Sequence, residues 1–475
     1  MHISYKMRLV ILVGFILFIF NLRAGAQQFA LYNTGTLYDS FENPSQKAFI
    51  TDSSRHYAFN FFIPAAGVSY GTSGPGLPTI KKALYTGKYD ARTLSEEETG
   101  LTRISSAENA YLLTFKLFQS VKYHRELGFS WQVRTENYGE TTNQTLIVFQ
   151  DYKRIIDKQL DNQLFDNNMF NTNVYAQSYH QFGFTFRENY NKRLAYGIKL
   201  SYLSGIAYSK IKINSSGLNI NMETLDYDVY VDGDLRTNFY YDDIEKKMFL
   251  PGFKNPGLAL SLSGNYKSKR GWYFLANLKD IGFIKWSKDS YMFRDKNYTI
   301  EAGMVKDSLW HQIKSKLQRK GYTTLINGKA EILFNKDLGN YQPNLLLSKN
   351  LFYKGGDIAL VNTYRYKSLN LSLSTDYNLN NFFEVGAQVM MKSPNTEFFL
   401  GSDQLFKTMD TQKALINSDE TVGNGYSGAS FYLGFSLKFG RIMSRPQNDN
   451  YIPGVNLKPG AKPGFFQRIL GKRQE

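Results

Sequence analysis

The segment Phe431-Tyr432-Leu433-Gly434-Phe435-Ser436-Leu437-Lys438-Phe439 puts a large apolar side chain at every odd position. Apart from Tyr432, its even positions are small, polar or charged. Successive strand side chains point to opposite faces, so a period of two describes a strand between two unlike environments. The pattern recurs along the chain. Tyr111, Leu113, Phe115 and Leu117 share one face, as do Leu127, Phe129, Trp131 and Val133. So do Phe182, Phe184 and Phe186, then Tyr196, Ile198, Leu200 and Tyr202, then Leu258, Leu260 and Leu262, then Leu369, Leu371 and Leu373. With weaker segments the total is about 14–16 strands of the roughly 9–11 residues that a tilted bilayer crossing needs. Near 56–70 the alternation is broken, where Phe59-Asn60-Phe61 runs into Pro64.

The first 26 residues have the layout of a secretory signal peptide. Lys6 and Arg8 precede an apolar run from Leu9 to Phe20, and Ala24-Gly25-Ala26 is a small-residue cleavage site. The run is too short for a helix spanning a bilayer, which takes about 20 residues. The mature chain is therefore expected to begin at Gln27. No later stretch is long and apolar enough for a transmembrane helix, and the mean hydropathy is −0.39. A barrel reconciles such polarity with membrane insertion, because only alternate strand positions meet lipid. The 34 Tyr and 36 Phe fit the aromatic girdles of such a barrel.

The net charge of +16 becomes +13 when Lys6, Arg8 and Arg23 leave with the signal, which holds no acid. The basic residues are scattered and no nucleic-acid-reading motif is present, so nucleic acid is not an expected partner. Outer-membrane lipid and lipopolysaccharide are the counter-charges such a chain would meet.

Connections are unequal. Glu188 to Arg193, Lys267 to Gly271, Tyr366 to Ser368 and Tyr377 to Asn381 read as short turns. Segments 71–109, 138–177, 287–296, 305–328 and 402–429 read as long loops. Two of these predict helices: 307–320, with Leu309, Ile313 and Leu317, and 151–165, with Ile155, Ile156, Leu160 and Leu164. Beyond Gly440 the chain becomes a basic Pro/Gly-rich tail, 441–475, that cannot bury a core.

Catalytic chemistry finds little footing. The mature histidines His56, His124, His180 and His311 lie in neither a G-x-S-x-G elbow nor an H-E-x-x-H helix. There is no Cys to ligate a metal. Gly71 to Gly76 lacks the Lys-Ser/Thr of a phosphate loop. The chain reads as non-enzymatic, with no catalytic, cofactor or metal site. Arg134, Arg187, Lys199, Lys279 and Arg365 fall on lumen-facing positions. They would bias an open pore toward anions, or they pair with Asp280, Glu384 and Asp376 and fill the barrel.

Three short motifs carry a family resemblance. Phe41-Glu42-Asn43-Pro44-Ser45 resembles the Asn-Pro-Ala/Gly element that opens FadL-like outer-membrane transporters, with Ser45 departing from the usual small apolar residue. Asn277-Leu278-Lys279-Asp280-Ile281-Gly282-Phe283-Ile284-Lys285-Trp286 is similar to a strand and turn of the DUF5723-type barrels of Bacteroidota, with Asp280, Gly282 and Trp286 as its marks. Gly401-Ser402-Asp403-Gln404-Leu405-Phe406 fits the same family and resembles PorP/SprF-like barrels. The resemblance implies a closed antiparallel transmembrane β-barrel of about 14 strands over 56–440, in the outer membrane of a Gram-negative cell. It implies a hatch at 27–55 entering the lumen, anchored by Asn43 and Pro44, and a periplasmic tail at 441–475.

Two roles follow. FadL relatives pass small solutes, hydrophobic ones included, and would show an apolar lumen cavity with an exit. PorV-like and PorP-like relatives are docking components of type IX secretion or gliding assemblies. They would show a plugged lumen and use loops and the 441–475 tail to meet other outer-membrane or periplasmic proteins. A barrel hydrolase is a third reading and needs a histidine beside a Ser or an acid at the extracellular rim.

Overall fold

The computed structural model describes residues 29–48, 55–120, 124–162, 169–220, 227–239, 246–300, 316–379, 382–419, 421–423 and 425–442. The expected signal peptide, His311 with most of the expected 307–320 helix, and nearly all of the 441–475 tail lie outside these residues.

The strands in chain order are β1 (Arg55–Phe59), β2 (Ala65–Ser73), β3 (Leu101–Ser120), β4 (Arg125–Thr142), β5 (Thr172–Asn189), β6 (Leu194–Ile220) and β7 (Tyr227–Thr237). They continue with β8 (Pro256–Lys267), β9 (Trp272–Lys285), β10 (Tyr291–Ile300), β11 (Gln318–Arg319), β12 (Thr323–Leu325) and β13 (Lys329–Lys336). The last six are β14 (Tyr341–Asn350), β15 (Gly356–Tyr366), β16 (Leu369–Asn378), β17 (Phe382–Lys392), β18 (Thr396–Ser402) and β19 (Ser427–Ile442). Every pairing is antiparallel, and the wall closes because β19 pairs with both β1 and β2. With β1 and β2 as one interrupted stave, β12 and β13 as another, and β7, β10 and β11 set apart as an extension above the wall, the barrel has 14 staves. Closure leaves no strand edge for lipid to meet.

The wall is inside-out relative to a protein in water. On β16, Leu371 and Leu373 are 45% and 51% exposed, whereas Ser372 and Ser374 face the lumen at 6% and 2%. β8 repeats this, with Leu258, Leu260 and Leu262 outward and Ser261 and Ser263 buried. An apolar belt of this extent is stable only against lipid. On β19, Phe431 and Phe439 face out while Tyr432, Ser436 and Lys438 face in.

Short turns at 190–193, 268–271, 337–340, 367–368 and 393–395 mark the end that also carries Arg55 and Ile442, which are paired with each other. In a barrel with an even number of staves and short turns at this end, that is the periplasmic side. The expected turn at Tyr377–Asn381 lies instead at the opposite rim, because β16 ascends from Leu369. That rim carries the long connections and their helices. Numbered after the short hatch helix α1 (Asp39–Glu42), these are α2 (Leu77–Thr86), α3 (Asn143–Asn162) and α4 (Leu405–Asn417). α3 takes up residues 151–162 of the helix expected at 151–165, the rest lying outside the described residues, but it begins earlier and is broken at Asp151, whose φ and ψ are −141° and 74°. Its Ile155 is buried beside Ile147 and Leu94.

The strands also run further than the alternation suggested. β3 begins at Leu101 within the expected 71–109 loop, and its upper half (Thr102, Arg103, Ser105, Ser106) is polar because it rises beyond the apolar belt. β6, of 27 residues, pairs with β8 below and with β7 above, and β7 continues to β10 and β11 as an upward extension of the wall.

A closed barrel of this kind keeps its shape in detergent until boiled. The purified protein is expected to run faster on a denaturing gel unheated than after boiling, and identical migration would contradict closure.

Candidate functional site

The lumen is occupied by the chain's own N-terminal segment, residues 29–48. Its Asn-Pro-Ser element is built into the wall. Asn43 donates to Asp39 Oδ1 at 2.9 Å and receives Asn277 Nδ2 at 2.9 Å. Pro44 lies against Gly197, where a Cβ would come within 2.1 Å of the Pro44 carbonyl carbon, so only glycine admits it. The Ser45 carbonyl accepts from Arg187 Nε at 2.7 Å and Asn265 Nδ2 at 2.6 Å, and Ser45 Oγ meets Ser263 Oγ at 2.6 Å. The hydroxyl at position 45 thus has a partner on β8. Further tethers run from the Leu37 amide to Glu397, from the Ala48 amide to Glu126, and from Lys392 to the Thr34 and Gly35 carbonyls.

A charge clamp holds the hatch helix α1. On β9 two residues, Lys279 and Asp280, oppose one residue of β8, which is a β-bulge. Asp280 takes the left-handed conformation (φ 51°) that Asp tolerates better than most residues. Both side chains consequently turn inward. Asp280 receives Arg134 Nη1 at 2.5 Å, Lys199 Nζ at 3.1 Å and Gln181 Nε2 at 2.8 Å. Arg134 continues to Glu42 on α1 with Nη2 at 2.7 and 2.9 Å from its two oxygens. Lys279 pairs with the same carboxylate, and the Tyr111 hydroxyl donates to it. Burial works to raise the Glu42 carboxyl, but the charges of Arg134, Lys279 and Lys199 outweigh it and hold the group well below the usual carboxylate range. Asp39, on the same helix, has only the charge of Lys392 to set against its burial. Burial lifts it to about 6, although hydrogen bonds from Asn43, Gly35 and Thr34 favour its ionised form.

The rest of the β9 motif is packing. At Gly282 a Cβ would lie 2.3 Å from the Leu258 carbonyl oxygen. Trp286 is fully buried, donates from Nε1 to Thr324 at 2.8 Å, and covers Gly205, where a Cβ would come within 2.8 Å of its ring. Gly401 leaves room for the Tyr432 ring. Ser402 Oγ receives the Gln404 amide at the start of α4, and the Asp403 amide donates to Ser430.

Of the five basic lumen positions, four are engaged. Arg134, Lys199 and Lys279 pair with Asp280 or Glu42, and Arg187 donates to the Ser45 and His124 carbonyls and to Asn189. Arg365 is half-buried near the periplasmic end of β15. The four engaged residues thus have partners within the protein, as the filling alternative expects. Asp280 is a partner to them, whereas Asp376 and Glu384 sit at the other end of the lumen and make no ion pair among the described residues. His180 receives Trp131 Nε1 on Nδ1 and lies 2.9 Å from the Phe249 carbonyl through Nε2, contacts of a structural histidine. No group of three or more acidic or histidine side chains among the described residues is arranged to hold a metal.

The wall beside the hatch is interrupted. Between Phe59, paired with Leu437, and Ala66, paired with Leu433, the chain loops out. Phe61 and Phe62 adopt φ of 49° and 58°, and both side chains point outward, 46% and 71% exposed. Asn60 repairs one side of the gap, donating to the Ile63 and Leu112 carbonyls and receiving the Thr114 amide. The hatch repairs the other: the Tyr38 hydroxyl donates to the Phe435 carbonyl at 2.7 Å. Leu37, Tyr38 and Phe41 cover an apolar inner patch formed by Ala58, Ala65, Tyr111, Met390, Phe399 and Tyr432. Above the hatch lie two polar cavities of about 70 and 110 Å³ that share Ala107, Glu136, Asn327 and Lys329. The expected apolar cavity is thus not open space; its lining is filled by the hatch. Sequence reasoning missed Tyr38, Glu42 and Gly197, and the one available signal was the broken pattern around Asn60.

Arg134→Met would leave Glu42 and Asp280 buried with fewer cations, a loss of about 3–5 kcal/mol for an uncompensated buried charge. The variant's hatch is expected to become protease-sensitive while the barrel keeps its gel shift. A hatch equally protected in Arg134→Met would show that the clamp does not hold it.

These features are those of an outer-membrane β-barrel. Among solved structures, similar chains include the P. putida toluene transporter TodX, at 8% identity and a TM-score of 0.41, covering 87% of this chain and 94% of that one. The Ralstonia pickettii toluene transporter TbuX is 10% identical with a TM-score of 0.41, covering 88% and 100%. A Pseudomonas aeruginosa FadL homologue is 8% identical with a TM-score of 0.29, covering 88% and 97%. No curated protein matches in sequence. The model of a family of unknown function, DUF5723, matches residues 48–403, most of the length over which the barrel and its motifs extend, and the chain belongs to that family.

Proposed function

We propose that this barrel passes small apolar or amphiphilic solutes inward across the outer membrane, leaving the lumen sideways through the interruption between β3 and β19. One observation carries the reading: the hatch residues Leu37, Tyr38 and Phe41 cover a stretch of inner wall where an apolar patch adjoins a break in the ladder that the hatch itself helps to seal. A solute entering from the extracellular rim meets the polar cavities first. When α1 shifts, the apolar patch is uncovered and the Phe435 carbonyl loses its Tyr38 partner, so the gap opens toward lipid. Phe61, Phe62 and Ile63 line the outer side of that exit. Export by the 1–26 signal and a Bacteroidota outer membrane belong to the same reading.

Apolar side chains exposed on the extracellular connections favour a second role, docking into a surface assembly. Leu250 and Phe253 are 69% and 87% exposed, and Phe406 and Ile416 on α4 are 61% and 73% exposed.

The test uses cells whose outer membrane otherwise excludes N-phenyl-1-naphthylamine, an apolar fluorescent probe. Expression of the barrel is expected to raise probe uptake, and Tyr38→Ala, which unseals the gap, to raise it further. Removing residues 61–63 to shorten the loop-out should abolish the gain while the barrel still shows its gel shift. Uptake that ignores both changes sinks the passage reading and leaves docking.

A further inference from the structure

Inside the extracellular end of the barrel, four acidic side chains meet that take no part in the hatch clamp. Asp357 on β15, Asp376 on β16 and Glu384 on β17 come from successive strands, and the register sets Asp376 directly opposite Glu384. Asp403 follows β18. All four are buried, at 1%, 1%, 7% and 3% exposure respectively. Asp357, Glu384 and Asp403 line the 110 Å³ cavity together with Gln404.

Three acceptor oxygens on two side chains at this spot lack hydrogen-bond partners. Both carboxylate oxygens of Asp376 are buried without one, and so is Oε1 of Gln404, itself only 5% exposed. Gln404 donates its amide N–H to Glu384 at 2.6 Å, so what remains on it is an acceptor. An ionised carboxylate is likewise acceptor-only. Two lysines border the cavity, but Lys354 is paired with Glu140 at 2.6 Å and Lys329 stands on the side shared with the hatch cavity. Buried acceptors of one charge sign are costly to leave without a compensating donor, and the missing complement is a cation that carries hydrogen-bond donors.

The arrangement also says which kind. No three of these groups converge on a single point as ligands of one metal ion do. Asp357, Glu384 and Asp403 come from three different places on the cavity lining, with Asp376 behind them, and Tyr138 and Tyr175 line the same cavity. Several N–H donors pointing in different directions match spread carboxylates, and aromatic faces favour the same charge. We propose that this cluster binds the ammonium or guanidinium group of a small organic cation. A water's share of the liquid is about 30 Å³, so the cavity holds such a head group and its first methylenes. The site goes beyond the passage reading, since it binds whether or not the hatch moves.

The experiment is calorimetric titration of the full-length protein in detergent with putrescine, a linear diamine, alongside adipate and Ca²⁺. Putrescine is expected to bind, adipate to be silent, and Asp376→Asn combined with Glu384→Gln to weaken putrescine about tenfold or more. Both replacements keep shape, and an unchanged gel shift certifies that the variant is folded. No putrescine binding, or binding indifferent to the two replacements, overturns the proposal. So does Ca²⁺ bound in preference to putrescine and lost in the same variant, which would make the cluster a metal site. None of these results bears on probe uptake, so the passage reading stands or falls separately.

Discussion

In hydrocarbon an unpaired backbone N–H or C=O has no water to turn to, and each one left open costs several kcal/mol. That constraint governs this molecule from the ring of staves to single side chains. It requires β19 to find β1 and β2, and it requires an explanation wherever the ladder stops. The ladder stops beside Asn60, and both sides of the gap are provided for. Asn60 replaces the missing rungs toward β3, and Tyr38 serves one carbonyl of β19. One of these substitutes belongs to the wall and is permanent. The other belongs to a segment that reaches its place through side-chain contacts, so the integrity of the wall and the position of the hatch are one equilibrium.

The lumen divides its charges by height. Around α1, acids and bases alternate closely enough that each buried charge has an opposite neighbour, the condition under which buried ions are tolerated. At the extracellular end the acids gather without that alternation. Filling the barrel explains the first group and not the second. The bulge at Asp280 matters here because it turns two consecutive residues of opposite charge into the lumen, one for the hatch carboxylate and one for the wall cations. A regular strand would have sent one of them into lipid.

The barrel was legible because lipid imposes the same alternation on every stave, and Leu369, Leu371 and Leu373 obey it as Phe431 and Phe439 do. Where the wall leaves the apolar belt the rule lapses, which is why the upper half of β3 reads as loop from Thr102 to Asn109. The Asn-Pro element and the Asp280 to Trp286 segment could be picked out, but their work could not. Gly197 against Pro44, Gly205 against Trp286, and Arg134 between Glu42 and Asp280 join residues far apart in sequence, and no local pattern encodes such meetings. The basic lumen residues could be read as an anion path or as barrel filling, because a sequence displays charges without their partners.

The staves differ greatly in length, and β18, with seven residues, is the shortest full stave. At about 3.3 Å per residue and a tilt near 40°, it rises only about 18 Å, against an apolar band of about 25 Å in barrels of this type. Phe398 and Leu400 are its exposed large apolar residues. Lipid headgroups beside β18 are therefore drawn toward the midplane, at a strain of fractions of a kcal/mol per ångström. β18 pairs with β19, one strand away from the interruption at Asn60. Any such pull on the lipid beside β18 acts one strand away from the loop-out whose far side only the hatch closes.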